Sequence, residues 1–409
     1  MSEITAPSAT PAIMAWPRKD GRKGIRNVIA VAYLVECAHH VATKIAAPFE
    51  DDDVHVIGFP GCVGNDYSQY MMEAICTSPN VGAVLLLSLG CESFKKRQLA
   101  RIIEESGRPV HLITIQEAGG TLSSISEGRK WVAETRHALD QQTKVPMEVS
   151  ELVVGTICGG SDGTSGIAGN PAAGRAFDRL VQENATCIFE ETGELIGCEH
   201  IMARRAATPE VAEQIMASVK KAASYYDELG LGSFSQGNAD GGLTTIEEKS
   251  LGAYAKSGAS QIMGVIKPGM QPEGKGLYLL DVVCDGGLKY GVPNITDNQE
   301  IIEMIACGCH LVTFVTGRGS VAGSALAPVI KICANPDTYK RMEGDMDVNA
   351  GRIVTREATL DEVGNEIYEL IIEVSNGKRT KHELLGHQEF VMCYKLFSNE
   401  IERCAIAAE

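Results

Sequence analysis

The chain has 409 residues, 44% apolar and 22% charged, with a formal net charge of −16 at pH 7. That length predicts two or three domains with ample core, and the acidic balance excludes a nucleic-acid partner, which would need a basic face. An anionic substrate would have to be met locally, by Arg, Lys, a metal or helix N-termini. Thirteen cysteines are spread through apolar segments, which favours a reducing compartment and thiol or metal chemistry over disulfides. No basic stretch followed by an apolar core opens the chain, and its longest apolar run, Val81–Leu89, is about half a membrane span. A soluble, cytoplasmic protein with no membrane partner is expected.

In chain order, residues 1–15 read as a disordered tail. Strand-like runs follow at Asn27–Val35, Val54–Phe59, Val81–Leu89, Val110–Ile115, Glu151–Cys158, Thr186–Glu190 and Leu311–Thr316. They are continuous rather than alternating apolar runs, as in strands covered on both faces. Helix patterns lie between them. Ser124-Ile-Ser-Glu127 reads as a capping box leading through Trp131, Val132 and Leu139. Thr208-Pro209 opens a second helix with Val211, Ile215 and Val219 on one stripe and Gly230 at its end. Thr359-Leu-Asp-Glu362 opens a third. This alternation predicts an α/β protein with two Rossmann-like, mostly parallel-sheet domains, spanning 16–147 and 148–409, with the polar stretch near 140–150 as boundary.

Three cysteines sit where an apolar run meets glycine: Cys62 in Gly-Phe-Pro-Gly-Cys-Val-Gly (58–64), Cys91 in Leu-Ser-Leu-Gly-Cys-Glu (87–92) and Cys158 in Val-Gly-Thr-Ile-Cys-Gly-Gly-Ser-Asp (154–162). Strand carboxyl ends are where α/β proteins hold ligands, and thiolates there are soft ligands for iron, an iron–sulfur cluster or zinc. The competing reading is three small buried hydrophobes beside turns.

The 158–171 stretch is rich in glycine and short polar residues, which lets backbone amides approach an anion at the start of a helix over 172–180. It lacks the Gly-x-Gly-x-x-Gly spacing of a dinucleotide site. Glu190, Glu191, Glu194, Glu199 and His200 fall within eleven residues, either a tuned or cation-binding group or a solvated acidic face. His200 is the candidate general base, with Glu199 and Glu194 to orient it. Lys249, in a stretch of glycines and hydroxyls that includes Thr244 and Thr245, and Arg318, in a glycine turn after a strand, are candidate carboxylate holders. Cys307-Gly-Cys-His310 begins an apolar strand and reads as core.

Asp20–Asn27, Ser88–Glu92, Cys158–Asp162 with Ser165-Gly166 and Asn170-Pro-Ala172, Glu191–His200, Glu247–Gly252 and Thr316–Gly319 occur in this order. Together they resemble the altronate/galactarate dehydratase family, which includes the large subunit of (2R)-sulfolactate sulfo-lyase; the resemblance runs from about 16 to 355. It implies an iron-dependent lyase, a hydro-lyase taking water from a sugar acid such as altronate or galactarate to give a 2-keto-3-deoxy acid. The alternative leaving group is sulfite, released from sulfolactate with pyruvate. On this resemblance Cys62, Cys91 and Cys158, with Cys37 as substitute, would hold Fe2+ or an iron–sulfur cluster with one open position. His200 with Glu199 would move the proton, Lys249 and Arg318 would hold the carboxylate, and Ser161, Asp162, Ser165, Asn170, Thr244 and Thr245 would meet hydroxyls. A separate small subunit is expected as partner, with homo- or hetero-oligomers. A nucleotide-dependent oxidoreductase is the competing class, and the missing glycine fingerprint argues against it.

Overall fold

A computed structural model of the chain describes residues 13–49, 53–230, 236–285, 296–392 and 394–395. Among these residues the chain enters through β1 (Ile13–Pro17), which pairs antiparallel with β2 (Lys23–Gly24). It then builds the N-terminal unit on β3 (Val28–Tyr33), β4 (Val54–Gly58), β5 (Val81–Ser88) and β6 (Val110–Thr114). These four are parallel, in the order β4-β3-β5-β6. All eight residues of β5 are buried, the two-sided cover that its unbroken apolar run demands. The chain leaves this unit through β7 (Val145–Met147), which returns to β1, pairing Ile13 with Met147.

The C-terminal unit is a seven-stranded parallel sheet. Its strands are β8 (Val153–Cys158), β9 (Thr186–Phe189), β10 (Ile262–Ile266), β11 (Gly276–Leu280), β12 (Leu311–Thr316), β13 (Val329–Cys333) and β14 (Val348–Asn349), in the order β10-β11-β9-β8-β12-β13-β14. The fold is thus α/β with two Rossmann-like parallel sheets. One hydrophobic cluster crosses from unit to unit, joining Ala30, Leu86 and Met72 to Ile157, Ile305 and Phe314. Asn80 ties the two further, donating to the carbonyls of His310 at 2.8 Å and Leu326 at 3.2 Å.

Two of the predicted helix starts form as read. Thr208 accepts the Val211 amide and Pro209 opens the Pro209–Leu229 helix, which Gly230 ends at φ +70. Thr359 and Glu362 close a reciprocal capping box. The third differs: the helix starts at Thr121, and Ser124 lies inside it, bonding back to the Gly120 carbonyl at 2.9 Å. Gly119 and Gly120 (φ +89 and +92) make the entry turn that the cap was expected to make.

Three other expectations change. The predicted tail cannot include residues 13–15, because Ile13 and Ala15 are fully buried in β1 and the Met14 amide bonds Asn376 at 3.2 Å; residues 1–12 lie outside the described residues. The 140–150 boundary contains β7 and is more than a linker. Finally, β10, β11 and β13 were not anticipated. β10 carries a glycine mid-run, and β13 carries Lys331, which is fully buried.

Candidate active site

From β8 the chain moves to β9 on one side, while β12 later joins on the other, so the order reverses at β8 and β12. A crevice outside the carboxyl ends of such strands is the usual ligand position in this architecture. Cys158 ends β8 and Thr316 ends β12. Their loops are stitched together, the Arg318 amide donating to the Gly160 carbonyl at 2.8 Å. Both loops need glycine for close approach. A Cβ on Gly159 would lie 2.1 Å from Asp297 Oδ2, and one on Gly317 would lie 2.0 Å from Asp162 Oδ1.

Behind this crevice Cys158 is ringed by charge. Lys249 Nζ and Lys256 Nζ each donate to its Sγ at 3.4 Å, and Sγ lies 3.3 Å from Glu191 Oε2 and 3.6 Å from Glu194 Oε2. Lys256 pairs with Glu191 and Lys249 with Glu194. Lys256 is fully buried and Lys249 2% exposed, so each ammonium requires these partners. Burial pushes the Lys249 pKa down, but the Cys158 sulfur and Glu194 carboxylate outweigh it, and the net shift is up. Glu191 has left-handed backbone (φ 87), a costly conformation for a non-glycine residue, and its Oε1 accepts the Cys158 amide at 2.8 Å.

A cavity of about 260 Å³ opens against this group, lined by Ser161, Asp162, Ser165, Asn170, Lys249 and Gly252 among others. Lys249 reaches it through Ser161, Nζ to Oγ at 2.9 Å. The wall is shaped by a wide turn over Ser165–Gly169 that runs directly into the Asn170–Gln182 helix. Asn170 donates to the Gly252 carbonyl at 2.9 Å, while its buried Oδ1 has no hydrogen-bond partner among the described residues. Asn170 lines the cavity, which makes this acceptor a candidate contact for a ligand hydroxyl. Asp162 is committed to the turn instead: it accepts from Thr164 and Ser165 and from Asn335 Nδ2 at 2.9 Å.

A second layer of carboxyls extends from the lysines. Burial, then the neighbouring Glu194, pushes Asp297 up to about 6, against the pull of Lys249 and Lys256. Burial raises Glu190 to about 8 against a hydrogen bond from Glu300 that pulls it down, while burial and then Glu190 raise Glu300, so this pair holds a proton at neutral pH. Glu303 follows, paired with buried Lys395 and accepting from Tyr67 at 2.5 Å.

Of the residues singled out in the sequence, Lys249, Ser161, Asp162, Ser165 and Asn170 share one cavity, and Cys158 lies behind it. The others are elsewhere. His200 is exposed on the short Glu199–Ala203 helix. The carboxylates meant to orient it are engaged, Glu199 with the Gly197 amide at 2.7 Å and Glu194 with Lys249. Thr244 and Thr245 are exposed and cap the Ile246–Tyr254 helix, Thr245 accepting the Glu248 amide. Arg318 is exposed and donates to the Gly237 carbonyl. Cys37, Cys62 and Cys91 are exposed in the N-terminal unit, whereas Cys158 is buried in the C-terminal one. The one grouping of three metal-capable side chains within 4.8 Å among the described residues is Cys158, Glu191 and Glu194, not the three expected thiols.

Sequence reading passed over Lys256, Asp297, Glu300 and Glu303. The last three recur every third residue on a helix (Asp297–Ala306) whose second half is otherwise Ile, Met and Ala, and acids in such a run were the available signal. Lys256 stands alone in Ala-Tyr-Ala-Lys-Ser-Gly and gave none.

Residues 149–398 match the family model for the D-galactarate/altronate dehydratase C-terminal region, and residues 15–140 that for the D-galactarate dehydratase/altronate hydrolase second domain. The chain is 33% identical to a (2R)-sulfolactate sulfo-lyase subunit beta of Chromohalobacter salexigens, over 93% of this chain and 96% of that one. It is 32% identical to an altronate dehydratase of Bacillus subtilis, over 92% of this chain and 76% of the relative. With a galactarate dehydratase (L-threo-forming) of Escherichia coli the identity is 35%, over 75% of this chain and 58% of the relative.

Proposed function

This chain belongs to the D-galactarate/altronate dehydratase family and is a lyase; from that premise we propose that it removes water from a sugar acid at the Lys249 cavity. The observation that carries the reading is a buried Lys249, ion-paired with Glu194, in one small cavity with Asn170, whose Oδ1 has no partner among the described residues. Removing a proton alpha to a carboxylate concentrates charge on the carboxylate oxygens. Lys249, which Glu194 and Cys158 keep protonated, is placed to take that charge without reorganising. Glu194, against Lys249 and Cys158, is the candidate base. Asp297, titrating near 6, is the candidate donor to the departing hydroxyl. Asn170 and Ser161 accept substrate hydroxyls.

Iron is part of this proposal, and it would act as a Lewis acid for the same developing charge, an effect worth several kcal/mol at most sites (about 2–5). Cys158, Glu191 and Glu194 offer soft and hard donors, but Lys249 and Lys256 already lie against all three. Two ammoniums neutralise that donor set, and we assign no metal to it.

A second reading, sulfite release from sulfolactate, is favoured by coverage: the chain matches nearly all of the sulfo-lyase subunit but about three quarters of the Bacillus dehydratase. The same match supports a separate small subunit as partner. The test is a substrate panel with and without that subunit. Keto-acid formation from altronate or galactarate supports the first reading and sulfite from sulfolactate the second; neither product with anaerobically purified protein refutes both.

A further inference from the structure

The last described residues of the chain have a placement that the cavity does not explain. The Lys381–Leu385 helix ends at Gly386 (φ +74), and no helix or strand follows it among the described residues. The segment nevertheless crosses the seam from one unit to the other. Glu389 accepts the Gly323 amide at 2.9 Å in the C-terminal unit, and Met392 is buried in the cluster that joins the two units. Tyr394 then meets Phe59 edge-on, ring centroids 5.1 Å apart, and donates to the Val63 carbonyl. Gly61 leaves the tyrosine its room, since a Cβ there would lie 1.8 Å from the Tyr394 hydroxyl oxygen.

Lys395 is the unusual member. It is fully buried, although the segment that carries it has no regular secondary structure. Its Nζ donates to the Val282 carbonyl at 3.0 Å and pairs with Glu303, itself fully buried on the Asp297–Ala306 helix. Its carbonyl accepts from Asn65 Nδ2 at 2.8 Å. Asn65 is the N-cap of the Asp66–Cys76 helix in the N-terminal unit, and Tyr67 of that helix donates to Glu303. One residue therefore bridges a helix from each unit. Glu303 shares its helix with Asp297 and Glu300, so whatever fixes Glu303 steadies those two behind the lysine cavity. A buried ion pair roughly breaks even against its desolvation, whereas removing one partner strands the other charge. Seating of this segment thus depends on both charges being present.

We infer that the C-terminal segment is a latch whose bolt is the Lys395–Glu303 pair. Seated, it holds the Cys62 loop and the Asp66–Cys76 helix against the Asp297–Ala306 helix. Lys395 is a positioning residue, acting through Glu303 on Asp297 and Glu300. The hold across the seam stands without the lyase reading, and only its effect on turnover rests on that reading.

Hydrogen exchange read by mass spectrometry on the full chain tests the latch, with circular dichroism to check folding. Lys395→Met and Glu303→Gln should each speed exchange at least about tenfold over residues 387–392 and the first turn of the Asp66–Cys76 helix. The Leu360–Ser375 helix, away from the seam, should exchange as in the wild type. The double variant should return toward wild-type exchange, because neither charge is then stranded. On whichever acid the wild type converts, Lys395→Met should lower kcat at least about fivefold with KM within about twofold, since Lys395 lies outside the cavity. A wild type that converts neither acid refutes the lyase reading and leaves exchange to decide the latch. Unchanged exchange in both single variants, faster exchange throughout the chain, or a double variant as open as the two singles combined would each overturn it. A raised KM with unchanged kcat would overturn the positioning role.

Discussion

Replacing Lys249 by methionine keeps the length of the side chain and removes its charge. An ammonium and a carboxylate about 4 Å apart at an effective dielectric of about 20 attract by about 4 kcal/mol. If charge on the substrate carboxylate grows in the transition state, Lys249→Met should lower kcat by about 10²–10³-fold, the range seen when one such donor is removed. The loss should fall on kcat rather than on KM, since uniform holding of the ground state would raise KM alone. Stability should fall as well, because Glu194 and Cys158 lose a partner. The cost should sit near the low end for a broken buried pair, about 3 kcal/mol, since Glu194 keeps 19% of its side chain in solvent. The raised pKa of Lys249 adds a pH signature. Its stabilising charge is fully present below the ordinary lysine range and is lost only as pH rises through the higher folded value. An activity loss between pH 7 and 9 therefore cannot come from Lys249, and Lys249→Met should leave the shape of that limb unchanged. Steady-state kinetics across pH, with thermal melts, are the assay. A folded Lys249→Met enzyme within about tenfold of wild-type kcat would refute the role assigned here.

Because Glu190, Glu300 and Asp297 have folded pKa values raised above their unfolded ones, the native state binds more protons between about pH 4 and 8, and stability should fall as pH rises through that window. Glu300→Gln should flatten this slope in melting curves; a slope of opposite sign in the wild type would show that the acids are not held neutral. Gly159→Ala forces a methyl into Asp297 and Phe314, and should cost about 1–3 kcal/mol in chemical denaturation together with a drop in kcat. His200→Ala should keep turnover within about twofold, since the imidazole faces solvent; a large loss would return His200 to the site.

The parallel sheets were legible because seven of their strands are runs dominated by apolar residues, a pattern that burial on both faces leaves in a sequence. β13 was not, because Lys331 interrupts its run, and burial of that lysine is a tertiary fact. The Cys158–Asn170 loop and the turn after β12 announced themselves through glycines whose need is steric: neither Gly159 in the first nor Gly317 in the second has room for a Cβ. Which residues face the resulting cavity was less readable. Ser161, Asn170 and Lys249 follow the loop and the helix that packs on it, but His200 was chosen on sequence proximity to acids that turn the other way. The thiols show the same limit. Their spacing places each near a strand end, and the predicted domains already divide Cys158 from Cys37, Cys62 and Cys91; what the sequence did not show is that Cys158 sits among lysines and glutamates rather than with those thiols.

The pairing of β1 with β7 has a consequence for how such a chain is assembled. Residues between these strands make a closed excursion whose exit lies beside its entrance, with Ile13 opposite Met147. A module with adjoining ends can be carried on such a clasp without stretching the seven-stranded sheet it leaves from. The four-stranded unit then meets the seven-stranded one through the seam of apolar side chains and the Asn80 hydrogen bonds as well as through the chain itself.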